Sequence, residues 1–246
     1  MDLSKIANIG NLSLVQVAMN TLTNRAEGLP GLGVLYGASG YGKTTATIVF
    51  ANKTQANYMR LSSVLSKKTF LEKIAFEIGA NPSTKNTSGY FDAICEQLAI
   101  TNRPLILDEA DYLVSKTGMV ELVRDIYESS QTPILLVGEE QMPNKLKKYE
   151  RFHGRVLSWI PALPVSMEDA QVLAKVYAPK LRIDDDVLHH IVAIAHGSVR
   201  RVVVNLVNLD EKAEVYGYDY ANMESVKKMK DFQFYQGEVP KRGAKP

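Results

Sequence analysis

Gly37-Ala38-Ser39-Gly40-Tyr41-Gly42-Lys43-Thr44 fills every fixed position of the pattern G-x-x-x-x-G-K-[ST]. A chain that wraps a phosphate must turn its N–H groups inward and bring its backbone close, which glycine permits. A helix opening at the end of such a loop adds the positive end of its dipole. Lys43 then reaches the β- and γ-phosphates of ATP as a compact cation, and the Thr44 hydroxyl ligates Mg²⁺. The cofactor contacts expected on this reading are Gly37, Ala38, Ser39, Gly40, Tyr41, Gly42, Lys43, Thr44 and Thr45. About 65 residues after the lysine, the apolar run Leu105-Ile106-Leu107 ends in Asp108 and Glu109. A carboxylate at the end of a buried strand suits a metal ligand, which assigns Asp108 beside Thr44. Glu109, one residue on, is placed to polarise a water for attack on the γ-phosphate, so Glu109 and Lys43 are the expected catalytic pair.

These side chains need a strand before the loop, a helix after it and a buried strand under the acidic pair. Residues 34–36 lead into the loop as a short apolar strand, and residues 44–51 follow as a helix. Further strands are expected at 57–61, 104–107, 133–137 and 155–160, with helices at 11–27, 68–78, 90–100 and 118–129. Strands alternating with helices predict a parallel sheet covered on both faces. After Pro164 the pattern turns helical. Ser166 and Asp169 form a capping-box pair, Asp184 caps the next helix, and a third helix runs from 199 to about 216. The resulting division is an α/β nucleotide-binding domain over 1–163, a helical lid over 164–220, and a basic, flexible tail over 221–246.

Composition excludes several classes. The chain has 246 residues, 46% of them hydrophobic, which is enough for a full core. One cysteine, Cys95, allows no intramolecular disulfide and no zinc cluster, and it reads as a buried, inert thiol in a reducing compartment. No apolar run approaches the roughly 20 residues that span a bilayer, and the N-terminus lacks the pattern of a signal peptide. The net charge of +2 neither requires nor forbids a nucleic-acid partner.

The ordered set of motifs resembles the AAA+ ATPases: a phosphate loop, an acidic strand, one more buried strand, an arginine-bearing segment and a helical lid. The resemblance implies a five-stranded three-layer α/β/α P-loop domain with a small C-terminal α-helical lid. It implies a polar sensor after the strand at 133–137, where Glu139 or Glu140 stands instead of the usual Asn, Thr or Ser. It implies an arginine finger supplied to a neighbouring subunit, for which Arg151 is the first candidate and Arg155 the second. Gly197-Ser198-Val199-Arg200-Arg201 resembles the lid's sensor motif and assigns Arg200 to the nucleotide. The tetrapeptide Asp108-Glu109-Ala110-Asp111 also invites a DEAD-box helicase reading, but no further helicase motif follows it; Asp111 is expected to be a surface or helix-cap residue.

Within AAA+ proteins the chain is similar to the phage Mu B and TnsC/TniB group of DNA-transposition regulators. The carrying features are LILDEAD, the strand Pro-Ile-Leu-Leu-Val-Gly, and the segment Arg151-Phe152 to Arg155-Val156 leading to a Pro-rich turn. That group's N-terminal DNA-binding helical domain is expected to be missing here. The resemblance implies ATP-dependent oligomerisation on double-stranded DNA, as a filament or ring, followed by recruitment of a transposase. It also implies the cytoplasm of a bacterial host, with the protein encoded by a phage or mobile element. A helicase loader or replication initiator shares the fold, and a weakly hydrolysing scaffold fits the Glu139/Glu140 departure. Mapping the loop after the second strand onto DNA points first to Lys67 and Lys68, then to Lys85. Other basic clusters are Lys145, Lys147 and Lys148, and Lys227, Lys228, Lys230, Lys241, Arg242 and Lys245 in the tail. His189, His190 and the tyrosines at 216, 218 and 220 read as packing residues.

Overall fold

The computed structural model describes residues 9–237. Five strands form its main sheet: β1 (Leu32–Tyr36), β2 (Asn57–Arg60), β3 (Leu105–Asp108), β4 (Ile134–Gly138) and β5 (Val156–Pro161). Their order is β2-β3-β4-β1-β5, and every neighbouring pair runs parallel. Parallel sheets need cover on both faces, and β3 and β4 are buried along their whole length. The cover comes from α1 (Gly10–Thr23), α2 (Lys43–Thr54), α3 (Lys67–Ile78), α4 (Thr87–Thr101) and α6 (Met119–Ser130), with the short turns α5 (Asp111–Val114), α7 (Met142–Leu146) and α8 (Glu150–His153). This is the three-layer α/β/α P-loop arrangement expected from the sequence.

Local chemistry explains the element ends. Ser66 accepts a hydrogen bond from the Thr69 N–H and opens α3, and Gly79 closes it in the left-handed conformation (φ 70°). In α6 the stripe Met119, Val123, Ile126 and Tyr127 is buried at helical spacing. Cys95 lies in α4; burial pushes its thiol up to about 11, which leaves it protonated and inert.

The chain divides into two compact units. One comprises residues 11–38 and 43–162; the other comprises residues 9–10, 39–42 and 163–237. The second unit holds α9 (Met167–Tyr177), β6 (Arg182–Ile183), α10 (Asp185–Ala195), α11 (Val199–Tyr216), β7 (Tyr220–Ala221) and α12 (Met223–Lys228). Its core includes Leu173, Ile191, Val202, Leu206 and Leu209. The capping box of Ser166 and Asp169 is formed, and Asp184 and Ser198 cap α10 and α11. His189 bonds the Asp185 carbonyl, Tyr220 donates to Asp184, and Tyr216 packs on Tyr218.

A flexible tail beginning at 221 does not describe this unit. β7 pairs with β6, α12 follows, and the chain is held as far as Tyr235 by its backbone. The fully buried Asn205 explains the last stretch: its side chain accepts from the Tyr235 N–H at 2.7 Å and donates to the Tyr235 carbonyl at 2.9 Å. A buried amide needs such partners, and Phe232 and Phe234 add apolar area beside it. Lys241, Arg242 and Lys245 lie outside the described residues. Among the described residues, no helix is long and apolar enough to cross a membrane.

Candidate nucleotide-binding site

β1 delivers the chain to the glycine-rich loop, and α2 begins at Lys43. Gly40 (φ +87°) and Gly42 (φ +83°) occupy the left-handed region, where a side chain would be strained. The Lys43 ammonium donates to the carbonyls of Gly37 at 2.7 Å and Ala38 at 2.9 Å. Burial lowers its pKa below the usual lysine value; the carboxylates of Asp108, Glu109, Asp111 and Glu139 act in the opposite direction. A half-buried cation within the field of four carboxylates, with its donors turned back on the loop, suits phosphates arriving with a metal.

β3 ends on Asp108, which is only 2% exposed. Both its oxygens are engaged: Oδ2 accepts from the Tyr58 hydroxyl at 2.8 Å and Oδ1 from the Glu109 N–H at 2.8 Å. Burial, then the adjacent carboxylate, holds the Tyr58 phenol far above its ordinary pKa. Glu109 has φ +59°, a left-handed conformation that costs a non-glycine residue about 1–3 kcal/mol. Its carboxylate accepts from the Arg60 guanidinium at 2.9 Å. Both partners are exposed (63% and 36%), so this ion pair contributes about 1 kcal/mol or less and opens readily.

Asp111 is more than a surface residue. It begins α5 and accepts from the Glu139 N–H and from Lys145 at 3.1 Å, tying the end of β4 to the acidic segment. The Glu139 backbone is thereby fixed, while Glu139 and Glu140 remain exposed. Arg155 is held by Glu128 at 2.9 Å. Arg151 is exposed on α8 and makes no ion pair among the described residues. Arg200 is the second residue of α11; its N–H donates to the Gly40 carbonyl at 3.3 Å, both residues belonging to the second unit.

Lys67 and Lys68 open α3 and do not lie in the loop before it. Lys68 pairs with Glu72 at 3.7 Å. The loop from β2 to α3 is braced by Lys116, whose ammonium donates to the carbonyls of Ser63 and Leu65, leaving Val64 between them 81% exposed. Lys85 is exposed just before Asn86, the cap of α4. Sequence reasoning missed Tyr58, Arg60 and Lys116. The first two had a signal: alternate residues of a strand face one side, and β2 lies beside the acidic strand.

The donor set fits a hard divalent cation held partly by nucleotide oxygens. Asp108 offers oxygen and Thr44 lies in the first turn of α2. Among the described residues no group of three His, Cys, Asp or Glu forms a self-sufficient metal cage. Mg²⁺ typically takes one or two carboxylates, water and substrate phosphates.

Comparisons with known proteins agree with this geometry. The AAA domain family matches residues 26–146. A Mu-like prophage FluMu DNA transposition protein B from Haemophilus influenzae is 28% identical over 167 residues, covering 64% of this chain and 56% of that protein. An ATP-dependent target DNA activator B from Escherichia phage D108 is 27% identical over 134 residues, covering 51% of this chain and 42% of that protein. The chain thus spans about half the length of the curated relatives it matches. Among solved structures, Cdc6p from Pyrobaculum aerophilum superposes with a TM-score of 0.64 at 16% identity, over 89% of this chain and 65% of that one. The RuvB branch-migration motor of Thermotoga maritima gives 0.61 at 21% identity, over 90% and 68%. At such identities these structures speak for the fold alone. Phosphate loop, acidic strand and sheet order converge on an AAA+ P-loop fold, and the chain is similar to the Mu B-like DNA-transposition proteins.

Proposed function

We propose that this chain is an ATP-hydrolysing regulator of DNA transposition that assembles with copies of itself on double-stranded DNA, selects the target and recruits a transposase. The observation that carries the hydrolytic part is that Asp108 and Glu109, at the end of β3, act electrostatically on Lys43, which opens the helix after the phosphate loop. Lys43 releases the loop carbonyls and holds the β- and γ-phosphates. Thr44 and Asp108 would hold Mg²⁺, which when bound neutralises charge on the phosphate oxygens. Glu109, freed from Arg60, orients the attacking water and takes its proton. Glu139 or Glu140 stands at the sensor position and Arg200 contacts the nucleotide from the lid. Cytoplasmic action in a bacterial host follows from that role.

Self-assembly is testable through the arginine finger. Arg151 is the stronger candidate because among the described residues it has no ion pair to give up, whereas Arg155 must leave Glu128. Arg151→Ala is expected to lower ATP turnover about 10³-fold, the order of effect of arginine fingers. Mixing it with a Glu109→Gln chain should restore part of the rate, since that chain donates Arg151 to a neighbouring site whose Glu109 is intact. An Arg151→Ala protein with normal turnover would transfer the role to Arg155 or remove it.

DNA contact is placed on Lys67 and Lys68, beside the loop that Lys116 braces, with Lys85 next. Their charge suits phosphates without base reading. The test is binding to a fluorescent duplex, with and without ATP and Mg²⁺, over a range of salt. Wild type is expected to bind more tightly with ATP. Lys67→Glu with Lys68→Glu should lower the salt slope by about 2, one released counterion per lost phosphate contact. An unchanged slope moves the DNA surface elsewhere. Nucleotide binding without any duplex binding removes the transposition reading and leaves the ATPase.

A further inference from the structure

β2 contains only four residues, Asn57-Tyr58-Met59-Arg60, and lies at one edge of the main sheet. It runs parallel to β3 in a register that places Tyr58 against Ile106 and Arg60 against Asp108. Met59 turns into the core, so Tyr58 and Arg60 share the other face. These two side chains take one carboxylate each: Tyr58 holds Asp108 and Arg60 holds Glu109. The two holds differ in kind. The Arg60 pair is exposed and easily opened, whereas the Tyr58 bond reaches a carboxylate that is 2% exposed.

We propose that Tyr58 is a positioning residue for the metal-binding carboxylate, fixing the plane of Asp108 so that its remaining lone pairs face the cation that accompanies the nucleotide. The proposal rests on the nucleotide-binding reading of the site. The Asp108 side chain can rotate about its Cβ–Cγ bond unless both oxygens are held. The Glu109 N–H holds Oδ1 through the backbone of the adjacent residue, and the Tyr58 hydroxyl donates to Oδ2, reaching across from a different strand. A rigid aromatic side chain anchored in the neighbouring strand restrains that oxygen more tightly than solvent does. Donors behind a metal ligand orient it, and their loss typically costs 10–100-fold in metal affinity or activity. Mg²⁺ demands near-ideal octahedral geometry, while Ca²⁺ tolerates irregular shells. A carboxylate free to rotate therefore penalises Mg²⁺ more than Ca²⁺.

The test uses the whole chain and a fluorescent ATP analogue, MANT-ATP, titrated first in EDTA and then with MgCl₂ or CaCl₂. Tyr58→Phe removes only the hydroxyl. It is expected to leave metal-free affinity for MANT-ATP within about twofold, to raise the half-saturating Mg²⁺ concentration about tenfold, and to raise that for Ca²⁺ less than threefold. The same substitution in an Asp108→Asn chain should add no further Mg²⁺ effect, because its target carboxylate is gone. That double variant also avoids leaving a buried, unpaired charge should Tyr58→Phe alone unfold. An unchanged Mg²⁺ requirement in Tyr58→Phe overturns the proposal. So does an equal loss for both cations, or a full further loss in the Asp108→Asn background, since either marks a merely structural role. If the unsubstituted chain binds no MANT-ATP, the nucleotide reading fails and the proposal falls with it.

Discussion

Lys43→Ala is expected to lower affinity for ATP by a hundredfold or more while leaving the protein folded. In the structure this ammonium occupies the mouth of the glycine-rich loop and satisfies itself on the Gly37 and Ala38 carbonyls. With a nucleotide present the same donors go to phosphate oxygens. Two charge-assisted hydrogen bonds at roughly 1.5–3 kcal/mol each account for a loss of about 10² or more. Burial already disfavours the charge, and alanine removes a cation that donates to two loop carbonyls, so the melting temperature should shift by less than about 5 °C. Calorimetric titration with ATP, beside a thermal melt of each protein, separates the two effects. ATP affinity within threefold of wild type would sink the site assignment.

Glu109→Gln carries the second large effect, and it falls on rate rather than binding. Glutamine keeps the length of the side chain and can still accept from Arg60, so the local geometry has little reason to change. What it loses is the ability to take a proton from water, a contribution of about 10²–10⁴ in rate. ATP turnover should therefore drop by that factor while nucleotide affinity holds. Single-turnover phosphate release measured beside MANT-ATP binding gives both numbers. Normal turnover would show that the water is activated by another group, with Asp111 and Glu139, whose charges also act on Lys43, the next candidates.

The residues that touch phosphate were legible because their spacing along the chain is itself the constraint: a strand, a tight loop and a helix leave few choices between 32 and 54. The buried strands were equally plain, since β3 and β4 are short apolar runs whose one polar residue is the Asp108 that ends β3. What escaped was lateral. Tyr58, Arg60 and Lys116 matter through atoms contributed by distant parts of the chain, and a sequence shows register between parallel strands only once their order is known. The end of the helical unit escaped for a similar reason. Nothing in Phe232-Gln233-Phe234-Tyr235 signals that the buried amide of Asn205, thirty residues earlier, will hold Tyr235 by its backbone. Charge misled there: the lysines at 227, 228 and 230 made the segment look solvated, although Val226 just before them and Met229 among them are buried.

The strand that carries the phosphate loop has a further consequence during synthesis. β1 lies between β4 and β5, and Leu32 pairs with Ile134 on one side and Val156 on the other. On a ribosome, β1 emerges long before either partner exists. At about 5–20 residues per second, the roughly 120 residues from the end of β1 to the start of β5 take on the order of 6–24 s to translate. Until β4 emerges the nascent chain holds an apolar strand with neither neighbour, and until β5 follows the loop has only part of its frame. Once residue 162 has emerged, the sheet can close before most of the helical unit has been made. A transcript truncated before codon 156 would yield a chain that contains every residue of the phosphate loop and still lacks the strand that flanks it.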